Sequence, residues 1–130
     1  MKTIITSGKR KRAIARAKLS EGSGQVRVNS FLLDNYEPEI YKLKIQEPLI
    51  LAGDVAKKVN ISVRVQGGGV ASQADAVRLS IGRALAKYSS KLEKVFLSYD
   101  RQLLVADVRR KEAAKPNDSK ARAKRQKSYR

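Results

Sequence analysis

Apolar positions along this chain follow two periods. Ala13, Ala15, Ala17 and Leu19 alternate with Ile14, Arg16 and Lys18, the period of two that a strand imposes, and the second face is partly cationic. Glu21-Gly22-Ser23-Gly24 reads as a turn, after which Val26 and Val28 alternate with Gln25, Arg27 and Asn29. The two runs predict a β-hairpin with one apolar and one polar face. Residues 30–58 suggest short helices interrupted at Pro38, Pro48 and Gly53. Pro48 suits the first turn of a helix through Leu49, Ile50 and Leu51, where its missing N–H does no harm. Ile61, Val63 and Val65 against Ser62, Arg64 and Gln66 form the clearest strand, which Gly67-Gly68-Gly69 ends. Ser72 and Asp75 then make a capping pair. It heads a long amphipathic helix over roughly 71–89, with Ala74, Val77, Ile81, Ala84, Leu85 and Tyr88 toward a sheet and Arg78, Arg83 and Lys87 on other faces. A second helix at about 91–97 uses Leu92, Val95 and Phe96, and after Leu103-Leu104-Val105 the apolar pattern stops.

From Asp107 onward the chain is charged and poor in large apolar side chains. Such a segment cannot bury enough surface to offset its ordering entropy, so it is expected to be disordered in isolation. The division predicted is one globular domain over 1–106 and a basic extended arm over 107–130. With 5% aromatic residues and no tryptophan, the core must be aliphatic.

Charge changes the picture more than any single motif. Lys and Arg total 29 against 12 Asp and Glu, a formal +17. Residues 1–20 carry seven basic residues and no acid, residues 101–130 carry eleven and three, and the middle eighty are nearly balanced at eleven and nine. Like charges gain a free monomer nothing, so the excess points to a polyanionic partner, with nucleic acid ahead of an anionic membrane surface. Without cysteine or histidine, disulfides, thiolate metal sites and the commonest general base are excluded, so no cofactor and no enzymatic activity is expected. Met1 to Arg12 holds only Ile4 and Ile5 as an apolar pair, and no window approaches a membrane span. The expectation is a cytoplasmic protein without a signal peptide.

Several segments are candidate contacts. The tail Lys120, Arg122, Lys124, Arg125, Lys127, Ser128, Tyr129, Arg130 can thread along phosphates with Tyr129 free to stack, and Arg109, Arg110 and Lys111 extend the same basic character. Lys9-Arg10-Lys11-Arg12 leads directly into the strand carrying Arg16 and Lys18, a continuity that favours a binding surface over a bare targeting signal. Gly67-Gly68-Gly69 lacks the Gly-Lys-Ser/Thr ending of a P-loop. It is better read as a tight turn whose backbone N–H groups can approach an RNA phosphate at a helix start. Glu37, Glu39 and Glu47 fit helix-start or solvated-face charges, and Asp75 a cap. A DNA-condensing protein, a phosphotransfer enzyme and an amphipathic membrane binder are the rivals. The last two lack a nucleotide loop and an inserting apolar face, respectively.

Taken in order, Gly8-Lys9-Arg10-Lys11-Arg12-Ala13-Ile14-Ala15-Arg16, Val28-Asn29, Val65-Gln66-Gly67-Gly68-Gly69, Ser72-Gln73-Ala74 and Ile81-Gly82-Arg83-Ala84-Leu85 resemble the ninth small-subunit ribosomal protein family. The closing Gln126-Lys127-Ser128-Tyr129-Arg130 resembles its archaeal and eukaryotic branch. The resemblance implies an α+β fold like the second domain of the fifth small-subunit protein, with a four-stranded sheet backed by helices. It also implies a non-enzymatic place in the head of the small subunit, on ribosomal RNA and beside other head proteins, without homo-oligomerisation or membrane contact. The arm would reach the peptidyl site, where Arg130, supported by Tyr129, Ser128 and Lys127, would touch transfer RNA. Ribosomal RNA would fall to Lys9, Arg10, Lys11, Arg12, Arg16, Lys18, Gly67, Gly68, Gly69, Arg78, Arg83, Arg109, Arg110, Lys111, Lys120, Arg122, Lys124 and Arg125. Two stretches depart from the family pattern: Asp107-Val108-Arg109-Arg110, where that branch has Asp-Pro-Arg-Arg, and Asn117-Asp118-Ser119-Lys120, where it tends to a Gly-Gly-Pro-Gly-like stretch.

Overall fold

A computed structural model describes residues 3–36 and 39–106. Five strands, β1 (Ile4–Arg10), β2 (Ala13–Glu21), β3 (Val26–Val28), β4 (Phe31–Leu32) and β5 (Val59–Gln66), form one mixed sheet in the order β1-β2-β5-β3-β4. The helices are α1 (Glu39–Ala52), α2 (Val70–Tyr88) and α3 (Lys91–Tyr99), with short 3-10 turns at Leu33–Asn35, Gly53–Lys58 and Arg101–Leu103. The class is α+β, and the expected four strands become five through the two-residue β4 at one edge. The division at residue 106 and the arm beyond it lie outside the described residues.

The hairpin expected between 13–19 and 26–29 does not form. Strand β2 pairs antiparallel with β1 on one side and β5 on the other, and β3 lies beyond β5, parallel to it. The reason is ladder length. β5 offers β2 eight paired positions, from Ile14↔Gln66 to Glu21↔Val59, whereas β3 is only three residues long. Two asparagines then fix the rerouted chain. The Asn60 Oδ1 accepts the N–H groups of Ser23 and Gln25 at 3.0 Å each, holding the turn after β2. Asn29, at φ 51°, uses its side chain to accept from the Val65 N–H at 2.9 Å and donate to the Val65 carbonyl at 3.2 Å, extending the β3–β5 ladder by amide mimicry.

Helix α2 lies against the inward face of this sheet with α1 and α3 packed beside it. Every residue from Ala76 to Gly82 is buried, so the helix is enclosed and not one-sided, as a single-faced pattern implies. It begins at Val70 with Gly69 as N-cap and no side-chain cap. The expected Ser72–Asp75 capping pair is therefore absent, and Asp75 instead pairs with Lys44 of α1. Helix α1 runs through Pro48 without starting there, and the Pro48 ring is buried. Burial of the ring offsets part of the cost of the missing hydrogen bond. Gly53, at φ 59°, ends α1. In α3, Leu92 and Phe96 are buried but Val95 is 41% exposed, against the expectation that it packs inward.

The edge strand β1 is hidden in what reads as a polar extension. Its inward residues are Ile4, packed on the core, with Thr6 and Gly8, while Ile5 faces out at 68% exposure. Thr6 Oγ1 donates to the Ser80 carbonyl at 2.7 Å, a buried bond that replaces apolar contact at this seam. A Cβ at Gly8 would collide with the Ala76 carbonyl and come within 2.9 Å of the Ser80 nitrogen. Gly8, Ala13, Ala15 and Ala17 are all buried beneath the helices, and such small side chains let α2 approach the sheet closely. Around that seam Phe96, Leu19, Ile45, Ile61, Ile81, Leu85 and Leu103 are fully buried, an aliphatic core with one aromatic ring. Gly8→Ala is expected to lower folding stability by about 1–3 kcal/mol through overpacking, measured by urea denaturation; an unchanged midpoint would show that the seam can yield.

Candidate nucleic-acid interface

Two segments far apart in sequence meet at one end of the sheet. The β1–β2 hairpin closes through the two-residue turn Lys11-Arg12, with Arg10 opposite Ala13 and Lys11 in the left-handed region at φ 53°. The glycine run lies directly against it. A Cβ on Gly67 would stand 2.5 Å from the Arg12 carbonyl, and one on Gly68 3.1 Å from the Ala13 nitrogen. Both glycines have positive φ, 80° and 66°, a conformation other residues adopt only with strain. Gln73 Nε2 donates to the Gly67 carbonyl at 3.1 Å and steadies the loop. Lys9, Lys11 and Arg12 are exposed and Arg10 half-buried, so the hairpin tip, the glycine loop and the positive end of the α2 dipole share one corner. Those sequence-predicted residues are brought together.

The second part of the surface is the outward face of the sheet, which no helix among the described residues covers. Strand alternation directs Arg16 and Lys18 of β2 and Arg64 of β5 outward, all exposed. The register sets Arg16 directly opposite Arg64, Lys18 opposite Ser62 and, across the next pair, Arg27 opposite Ser62. Among the described residues no ion pair engages Arg16, Lys18, Arg27 or Arg64. Like charges directly opposite on neighbouring strands cost stability, on the order of 0.2–1 kcal/mol, and no outward position of β1, β2 or β5 is acidic. Arg64 and Arg27 are not among the residues that the sequence singles out. The signal is present in the alternation of 60–66, which places Arg64 in phase with Ser62 and Gln66.

Arg78 does not join this surface, whereas the half-buried Arg83 borders it, lining a depression with Ile5, Ser7 and Arg16. Arg78 is 6% exposed, and its guanidinium donates to Glu47 Oε2 (3.1 Å from Nε, 2.6 Å from NH2) and to Asp100 Oδ2 at 3.0 Å. It ties α1, α2 and the segment after α3 together, which also explains Glu47 as a structural partner and not a solvated-face charge. Arg83 donates to the Leu104 carbonyl at 3.0 Å and to the Ser7 carbonyl at 2.9 Å, clipping α2 to β1 and to the end of the described chain. Burial pushes the Asp100 carboxyl up, but the Gln102 N–H, the Arg78 guanidinium and the Lys44 charge together hold it below the usual aspartate value. Arg109, Arg110, Lys111, Lys120, Arg122, Lys124, Arg125 and the terminal Lys127, Ser128, Tyr129 and Arg130 lie outside the described residues.

An α+β domain with one sheet face covered by helices and, among the described residues, a cationic opposite face without acidic strand positions has the build of a nucleic-acid-binding protein. Comparison with known proteins gives that class a family. The family model described as ribosomal protein S9/S16 matches residues 8–130. Proteins described as small ribosomal subunit protein uS9 from Methanococcus maripaludis strains C7 and C5 and from Methanococcus vannielii are each 49% identical over 134 residues, covering 100% of both chains. The chain belongs to the ribosomal protein S9/S16 family; it is a ribosomal component and not an enzyme. No helix among the described residues is long and apolar enough to cross a membrane.

Arg64→Glu turns a repulsive cross-strand pair into an attractive one. It is expected to raise folding stability by about 0.5–1 kcal/mol while weakening RNA binding; a thermal melt beside a binding titration reads both, and a lower melting temperature would contradict the cross-strand geometry. Arg78→Met is expected to cost about 2 kcal/mol, less than a fully buried pair because Glu47 and Asp100 remain partly hydrated. Since the Asp100 carboxyl is depressed in the fold, its contribution is complete above the unfolded value and disappears as pH falls from about 4 through the folded value. Urea midpoints between pH 7 and pH 3 should therefore decline less steeply in Arg78→Met than in the parent; parallel declines would remove Arg78 as the cause.

Proposed function

We propose that the chain is a structural constituent of the small ribosomal subunit, working in the cytoplasm on the ribosome, that binds ribosomal RNA in the subunit head. The hairpin tip, the glycine loop and the open sheet face make the contact, and the last residues reach peptidyl-site transfer RNA. One observation carries the RNA reading: Arg16 stands opposite Arg64 on two strands whose outward positions include no acid, an arrangement whose repulsion a polyanion relieves. Its relatives are proteins of the small subunit, which supports the assembly and neighbouring head proteins as partners. The transfer-RNA role of Arg130, Tyr129, Ser128 and Lys127 is supported by family membership and by a family match that runs to the final residue.

The roles of Lys9, Lys11, Arg12, Arg16 and Lys18 are electrostatic, each neutralising backbone phosphate and releasing counterions. Gly67, Gly68 and Gly69 act through shape, since loops without side chains allow backbone N–H groups to approach phosphate oxygens. Deleting Ser128–Arg130 is expected to lower peptidyl-site transfer-RNA occupancy several-fold while leaving subunit assembly intact. Filter binding of transfer RNA to purified truncated subunits measures the first and gradient sedimentation the second; equal occupancy in truncated and intact subunits would refute the assignment of the terminus.

A further inference from the structure

We infer that the open sheet face docks on the sugar-phosphate backbone of double-helical RNA, and not on unpaired bases, through Arg16 and Arg64. This rests on the reading that the face binds RNA and names the form of RNA it takes. Sheet faces that read single strands do so by stacking bases on aromatic rings. Here the outward positions of β1, β2 and β5 are Ile5, Ser7, Lys9, Ile14, Arg16, Lys18, Ser20, Asn60, Ser62, Arg64 and Gln66, and none is aromatic. Phe31, the exposed ring of the edge strand β4, stands opposite the inward Val28 and so belongs to the other phase of the sheet. These three strands offer no ring on which a splayed base could stack.

What the face carries instead matches a duplex backbone. Arg16 and Arg64 present two planar guanidinium forks side by side, suited to phosphate oxygens. Beside them lie Ser30, Ser62 and Gln66, lining the same open depression of about 740 Å³ with Arg16, Lys18 and Arg64, which Ile5 and Ile14 also border. Hydroxyl and amide groups both donate and accept, as a ribose 2′-hydroxyl does. The minor groove of A-form RNA is wide and shallow, displaying 2′-hydroxyls between two phosphate rows, so a broad sheet face can lie across it. The narrow minor groove of B-form DNA offers neither the width nor the hydroxyl.

The test is a titration of the full-length protein and of Arg16→Gln/Arg64→Gln against a blunt RNA duplex, a single-stranded RNA of equal length and a DNA duplex, at several salt concentrations. Both arginines are exposed, and relieving their repulsion should leave the thermal melt no lower than the parent's. The expected result is that the variant loses roughly tenfold in affinity for the RNA duplex, with a salt slope shallower by about two, and less than threefold for the single strand. Changing the duplex sequence should leave the loss unchanged. Equal losses on duplex and single strand, or on RNA and DNA duplexes, would overturn the duplex assignment while leaving the face as an RNA contact. No loss on any nucleic acid would overturn the face itself, and with it the reading on which the assignment rests.

Discussion

Helix α2 sits on a sheet whose inward residues at the contact are glycine, alanine and threonine, and this closeness organises everything around it. The chain has few aromatic rings with which to fill space, so burial has to come from elements lying near one another. Gly8 faces the Ala76 carbonyl and Ser80, Gly82 faces the Leu103 carbonyl, and Thr6 closes the seam with a buried hydrogen bond. Dispersion contacts are individually weak and fall away over fractions of an ångström, which is why a single added methyl at such a position has leverage. With α2 seated, α1 and α3 have a surface to cover, and Arg78 joins both sides of that packing to the helix through Glu47 and Asp100.

With the three helices on one side, no element among the described residues covers the other side of the sheet, where the strand cations lie. A protein selected only for stability would intersperse acids there, as ordinary surfaces do. Instead the register aligns two arginines and flanks them with Lys18 and Arg27. The same segregation appears in the partition of the helical arginines. Arg78 and Arg83 are engaged by protein acceptors, whereas among the described residues no ion pair engages Arg16, Lys18, Arg27 or Arg64 on the strands.

The sequence pattern identified β2, β5, α2 and α3 because each buries alternate or helically spaced aliphatic residues over a long enough run. It misses β1 because Ile5 faces water while the small or polar Gly8 and Thr6 stand with Ile4 on the core side, so no apolar alternation shows. It paired β2 with β3 because neighbours in sequence usually pair, whereas β5 arrives later with a longer ladder and the side chains of Asn60 and Asn29 make the parallel join. A one-sided helix places Arg78 and Arg83 away from the sheet, but α2 is enclosed on several sides, so Arg78 is buried while Arg83 is only half-buried. The hairpin tip, the glycine run and the cationic phase of β2 were readable from charge and glycine chemistry; their meeting at one corner, and the partnership of Arg64 with Arg16, required tertiary register.

The bond from Arg83 to the Ser7 carbonyl has a consequence for the life of the chain before assembly. Strand β1 is a sheet margin seven residues long, and an exposed margin invites strands from other molecules to add to it. A guanidinium held across one of its acceptors, with lysine and arginine further along the same strand, makes a second copy a poor neighbour. Among the described residues, the rim of the sheet at β1 is thus guarded by a filled acceptor and by positive charge.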